Sequence, residues 1–129
     1  MAERPVLDSD LLIDYLRGAG PGRDLVEELA RGTGYYVTAI TAFELALGSA
    51  YRKNPHPVHA VLSVPVLNLT RGAGLLGGEL LNVLRSRGEP IDLRDAMQAG
   101  ICLDANALIL TRNLSHFERV PGLRVSGPA

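Results

Sequence analysis

The chain has one cysteine, one lysine and no apolar run of the length that crosses a membrane. A single cysteine excludes a disulfide framework and a thiolate metal site. Cys102 lies inside the apolar run AGICLDANALIL and reads as a core residue in a reducing compartment. No stretch reaches about 18 consecutive apolar residues, and no long apolar segment follows a basic flank in MAERPVLDSD, so a cytoplasmic protein is expected. An excess of one charge is also missing: 13 basic and 14 acidic residues leave a net charge of −1. That balance gives no general attraction to a polyanion, and any nucleic acid contact must come from local clusters. Apart from Lys53 the basic residues are arginines, which suits phosphate recognition but follows equally from genome composition. Low-complexity tracts are absent, and 129 residues with 47% hydrophobic and 21% charged character describe one soluble globular domain spanning residues 1–129.

The pattern that remains is an alternation of strands and helices. Residues 5–8 read as a short strand, and DLLIDYLRG continues as a helix closed by Gly18. RDLVEELARG gives a second, short helix. YYVTAI is β-rich and leads into a helix over TAFELALGSAYRK, which the two prolines of NPHPV are expected to break. VPVLNL is a third strand, followed by a helix over GGELLNVLRSRG with a glycine-weakened start. PIDLRDAMQAGICLDANA is the strongest helix, LILT the fourth strand, and LRV a candidate fifth. This order predicts an α/β fold with a parallel sheet covered on both faces, whose ligands bind at the carboxyl ends of the strands.

Acids recur at that edge. Asp8 and Asp10 follow the first strand, Thr41 and Glu44 the second, and Thr111, Arg112 and Asn113 the fourth, while Asp92 and Asp95 open the long helix. Each acid also has a purely structural reading. TAFE fits a capping box with Thr41 as the cap and Glu44 reaching back. Asp92 and Asp95 fit the N-cap and N3 positions, each favoured by about 0.3–1 kcal/mol from the helix dipole. Asp8 fits a cap of the first helix and Asp10 an exposed first-turn acid. Asp14 and Asp24 read as ordinary helix-surface charges.

Convergence favours a functional reading, because ionised carboxylates repel by roughly 3 kcal/mol per pair at about 5 Å and an effective dielectric of about 20. No lysine is placed to offset this, and His56, His59 and His116 lack a zinc-ligand spacing. Oxygen-only ligands point to Mg²⁺ or Mn²⁺ and to phosphodiester hydrolysis, with one ion or two sharing the work.

These segments carry a family resemblance. VLDSDLLIDYLRG, TAITAFELALGS and GEPIDLRDAMQAGICLDANALILTRNLSHFERVPGLRV, in this order and spacing, resemble PIN-domain ribonucleases, specifically the VapC-type toxins of toxin–antitoxin pairs. The resemblance covers nearly the whole chain. It implies a PIN-like three-layer α/β/α sandwich with a central parallel sheet of four to five strands, and a Mg²⁺- or Mn²⁺-dependent endoribonuclease. By that resemblance Asp8, Glu44 and Asp95 are the acidic metal ligands, with Asp92 as the rival to Asp95. Thr111 and Asn113 orient water or phosphate, and Asp10 supplies an outer-sphere acid. Arg112 ranks first for contact with substrate, ahead of Arg17 and Arg119. Most members carry a fourth acid where this chain has His116, a departure that argues against a second tightly held ion and leaves phosphate contact or proton transfer open to the imidazole. The implied partners are an RNA substrate, a cognate antitoxin and a second copy in a homodimer. DLVEELA and AFELALGSAY are the candidate partner surfaces, and simple packing on the sheet is their other reading.

Two competitors remain. A haloacid-dehalogenase-type phosphotransfer enzyme also begins with a strand leading into two aspartates one residue apart, but it needs a lysine near the phosphate. A PIN-like RNA- or protein-binding module with little or no cleavage is the alternative that His116 supports.

Overall fold

The computed structural model describes residues 3–128. Five short strands, β1 (Val6–Leu7), β2 (Val37–Thr38), β3 (Val66–Leu67), β4 (Leu108–Leu110) and β5 (Arg124–Ser126), all pair in parallel. Strands β1, β4 and β5 form one ladder and β2 and β3 another. A bridge between Val6 and Tyr36 joins the two, with the Leu7 amide donating to the Tyr36 carbonyl at 3.0 Å and the Tyr36 amide to the Pro5 carbonyl at 2.8 Å. The spatial order is therefore β3-β2-β1-β4-β5. From β1 the chain passes through two helices to β2 on one side, whereas β4 lies on the other. Such a reversal opens a crevice at the carboxyl ends of β1 and β4.

The helices are α1 (Ser9–Arg17), α2 (Pro21–Arg31), α3 (Ala39–Leu47), α4 (Ser49–Lys53), α5 (His56–Val61), α6 (Arg71–Ser86), α7 (Leu93–Asp104) and α8 (Leu114–Phe117). Successive strand residues face opposite layers. Val6 and Ile109 join Leu80, Leu84, Ala99, Cys102 and Phe117 on one side of the sheet. Leu7 and Val37 join Leu11, Leu12, Val26, Leu45 and Val58 on the other. Both faces are covered, which makes the three layers the sequence predicts, and Cys102 is buried as expected.

Three local features differ from the sequence reading. The NPHPV segment interrupts the helical run but also starts α5, because Pro57 falls in the first turn, where an amide N–H has no intrahelical partner to lose. Helix α6 begins at Arg71 behind a Thr70 cap, six residues before GGELLN. Its glycines allow close approach: a Cβ on Gly100 of α7 would lie 2.3 Å from the Ala73 carbonyl oxygen, and one on Gly77 3.0 Å from that of Ala96. The residues that weaken the isolated helix thus let α6 and α7 pack backbone to backbone. Finally, the cap of α3 is Thr38, whose hydroxyl accepts from the Thr41 amide at 3.1 Å. Glu44 therefore lies well inside α3, and the capping-box reading of TAFE does not hold.

No helix among the described residues is long and apolar enough to cross a membrane.

Candidate active site

Asp8 occupies the end of β1, where its amide closes the ladder on the Leu110 carbonyl at 3.0 Å. It is also the N-cap of α1. Its Oδ1 accepts from the Ser9 amide at 2.9 Å and from Nε2 of Gln98 at 3.3 Å, and its Oδ2 accepts from the Thr111 hydroxyl at 2.7 Å. Cap and site residue are thus the same carboxylate, since the cap uses one lone pair and leaves others.

Asp10, in the first turn of α1, reaches across to the end of β4. Its Oδ2 accepts from the Arg112 amide at 2.9 Å and lies 3.3 Å from the Thr111 hydroxyl. Its Oδ1 is buried without a hydrogen-bond partner among the described residues. The Thr111 side chain is wholly buried between the two acids, and its oxygen also accepts from the Asn113 amide at 2.9 Å. Thr111 therefore fixes both aspartates relative to β4.

Asp95 approaches from α7. Asp92 is the N-cap of that helix, accepting from the Asp95 amide at 2.8 Å, which leaves the Asp95 carboxylate one turn further in. There its Oδ2 meets Nδ1 of His116 at 3.0 Å and Nδ2 of Asn113 at 3.3 Å, while Asn113 Nδ2 lies 2.9 Å from the same imidazole nitrogen. Glu44 comes from α3 and pairs with Arg94 at 3.3 Å. The two outer acids each face a cationic or titratable neighbour, and the inner pair does not share them.

Burial is the first cause of every acid's shift here. It pushes the Asp8 carboxyl up to about 7, with the Asp10 charge adding to it and the Thr111 and Ser9 hydrogen bonds opposing it. Asp10 is raised by burial against the pull of the Arg112 amide and guanidinium. Glu44 is raised by burial although Arg94 lowers it, and Asp95 by burial although His116 lowers it. Asp8 also feels the Asp95 charge, and Glu44 those of Asp95 and Asp92. Holding four ionised carboxylates in this crevice is unfavourable, and a cation would relieve it.

Among the described residues no group of three or more His, Cys, Asp or Glu side chains stands close enough together to hold a metal ion. A closed cage is not what Mg²⁺ requires, however, because it keeps several waters and uses one or two carboxylates. An all-oxygen set with a buried Oδ1 on Asp10 that has no partner fits such a hard cation.

Two features were not legible as functional in the sequence. Asp14, read as a surface charge, is completely buried. Its Oδ2 accepts from the Gly22 amide at 3.0 Å, and its Oδ1 lies 3.3 Å from both Arg17 and Arg112. Arg112, the arginine ranked first for substrate, is thereby engaged with Asp14 and stands 3.9 Å from Asp10. Gln98 is also buried, between Asp8, Thr38 and Thr41. The available signals were polar residues within apolar stretches, LLIDYL and AMQAGIC.

No family model matches the chain. It is 31% identical over 94 residues, 69% of its length and 71% of the relative's, to the tRNA(fMet)-specific endonuclease VapC of Salmonella typhimurium. It is 29% identical over 121 residues, covering 92% of this chain and 96% of the other, to ribonuclease VapC19 of Mycobacterium tuberculosis. Among solved structures, a chain of DNA-bound VapBC from Salmonella typhimurium superposes with a TM-score of 0.79 at 22% identity, covering 99% of this chain and 100% of that one. A chain of the promoter-bound VapBC2 complex of Rickettsia felis gives 0.78 at 19%, covering 95% and 96%. The superpositions show a shared fold, and the sequence identity along two thirds of both chains shows the family: the chain belongs to the VapC family of PIN-domain ribonucleases.

Proposed function

We propose that this protein is the toxin of a toxin–antitoxin pair and an endoribonuclease that hydrolyses RNA phosphodiester bonds with a carboxylate-held Mg²⁺ or Mn²⁺. The observation that carries the reading is the pair Asp8 and Asp10, held side by side by Thr111 at the sheet's topological switch point. The VapC relatives are named as nucleases, and the solved neighbours include toxin–antitoxin proteins.

Of the proposed ligands Asp8, Glu44 and Asp95, one or two would hold the ion directly and the rest through its retained waters, with Asp10 beside them and Asp92 serving α7 as its cap. When bound, such an ion supplies Lewis-acid polarisation of the scissile phosphate and a water made more acidic. The chain's own part is positional. Thr111 donates its hydroxyl proton to Asp8 and stands 3.3 Å from Asp10, which the Arg112 amide holds. Asn113 and His116 set the direction of the Asp95 carboxylate and line the approach to it. Arg112 braces Asp10 and Asp14 while its side chain stays 41% exposed, so it shapes the rim toward RNA, and His116, 37% exposed and bonded to Asp95, lines the same approach. Thr111 itself is buried and stays out of reach of substrate.

A cognate antitoxin and a second copy of the chain are the proposed protein partners. Helix α2 packs Val26, Leu25 and Leu29 into its own core, which favours the simple packing reading for DLVEELA. Helix α3 leaves Phe43 and Leu47 more than half exposed and is the better partner surface.

The test is incubation of the purified protein, freed of any antitoxin, with total RNA and Mg²⁺ or Mn²⁺, beside Asp8→Asn and a chelator control. Discrete cuts that require the metal and vanish in the variant support the proposal. Equal inertness of both proteins toward RNA they still bind would favour the non-cleaving module, the reading that His116 keeps open.

A further inference from the structure

Gln98 is the one polar side chain on the buried face of α7 below Asp95, and it is 2% exposed. An uncharged amide in such a place costs free energy unless every donor and acceptor is matched. Here they are. Its Oε1 accepts from the Thr38 hydroxyl, and its Nε2 donates to the Thr41 hydroxyl at 3.0 Å and to Oδ1 of Asp8 at 3.3 Å. The amide is oriented with its NH₂ end toward Asp8, the arrangement that suits the ionised carboxylate a cation requires, since that form accepts and cannot donate.

Gln98 and its three partners together span the three segments that carry the proposed ligands. Asp8 ends β1. Thr38 caps α3, the helix of Glu44, by accepting from the Thr41 amide at 3.1 Å. Gln98 itself lies one turn after Asp95 on α7. From these contacts we infer that Gln98 is a positioning residue, which fixes the rotation of the Asp8 carboxylate and ties the start of α3 and the first turns of α7 to it. The inference rests on the metal-site reading for its functional consequence, but the coupling between Gln98 and Asp8 exists with or without an ion.

The chemistry explains the choice of glutamine. A lysine or arginine at this depth would neutralise Asp8 and compete with a cation. An aliphatic residue would leave two threonine hydroxyls and an aspartate oxygen short of partners. A neutral donor steadies Asp8 and leaves its charge for a ligand. Outer groups of this kind change metal affinity by roughly 10- to 100-fold when removed.

Gln98→Met conserves shape and removes the hydrogen bonds. Its unfolding midpoint is to be measured in metal-free protein as a cycle with Asp8→Ala, alone and combined, and Mn²⁺ binding is to be measured by calorimetry on wild type and Gln98→Met. Loss of the α1 cap occurs in both Asp8→Ala proteins and so cancels in the cycle. The expected result is a non-additive cycle, with Gln98→Met lowering the midpoint less once Asp8 is gone, and Mn²⁺ affinity about 10-fold weaker in Gln98→Met. Additive midpoint shifts would overturn the inference, as would a Gln98→Met protein that binds Mn²⁺ as tightly as wild type. If wild type binds no Mn²⁺ while the cycle is non-additive, positioning stands and the metal reading falls. Should Gln98→Met fail to fold, the wild-type side-chain amide decides: signals that persist in D₂O and move on addition of Mg²⁺ support the role. An amide that exchanges as fast as an exposed glutamine contradicts it.

Discussion

The Arg112 guanidinium lies 3.3 Å from Oδ1 of Asp14, a carboxylate with no exposure at all, while the Arg112 backbone amide donates to Asp10. One residue thereby ties the end of β4 to two positions on α1. Asp14 also receives the Gly22 amide and faces Arg17, so it is a buried charge with three partners. Removing such a charge leaves its partners unmatched. Asp14→Ala should destabilise the fold by about 3 kcal/mol, and Asp14→Asn by less because it keeps an acceptor for Gly22. Denaturant unfolding of both variants measures the difference; a loss within about 0.5 kcal/mol for Asp14→Ala would place Asp14 back among ordinary surface charges.

The pH dependence follows from the direction of the Asp8 shift. Its carboxyl is raised from 3.8 to about 7 in the fold, so between those values the native state holds a proton that the unfolded chain has released. The stabilisation from this group is complete below the unfolded value and disappears as pH rises through about 7. Asp10, Glu44 and Asp95 are raised too and act in the same sense. Thermal scans of metal-free protein should therefore show Asp8 favouring the fold at about pH 5.5 over about pH 8, with Asp8→Asn flattening the difference.

A divalent cation competes with those protons. Its affinity should rise with pH through about 7, and the stabilisation that Mn²⁺ gives should be larger at about pH 8 than at about pH 6. Scans with and without Mn²⁺ at the two pH values read this directly. Equal Mn²⁺ shifts at both would mean the ion does not displace the Asp8 proton.

Arg94 pairs with Glu44 at 3.3 Å from a half-exposed position, so the pair itself contributes at most about 1 kcal/mol to stability. Its charge opposes a cation at Glu44. Arg94→Gln should leave the unfolding midpoint nearly unchanged and tighten Mn²⁺ binding several-fold. Unchanged affinity in calorimetry would place Glu44 away from the ion.

Much of the fold was legible because its signals are local. The run from Pro5 to Asp8, the Gly18 stop and the Asp92 cap each declare themselves within a few residues, and the alternation of elements gave the three layers. The α3 cap was misplaced because two threonines three residues apart, Thr38 and Thr41, both suit the position, and the true one accepts from the amide of the other. Helix α5 was missed because proline opposes a helix interior but not a first turn. The strand-end acids could be named from the sequence, as could the choice between Asp92 and Asp95 as alternatives. What assigns Asp92 to the cap is the direction of one hydrogen bond. Asp14 and Gln98 were illegible for a different reason: their partners lie on other elements, with Asp8 and Gln98 separated by 90 positions.

The acids around Asp8 are proposed to hold a divalent cation. Diffraction from crystals grown with Mn²⁺, recorded to bring out the anomalous signal of manganese, tests it most directly. The expected outcome is a peak bonded to Asp8 and within reach of Asp95 and Glu44, absent in Asp8→Asn crystals. A fully occupied manganese elsewhere, with none beside Asp8, would contradict it.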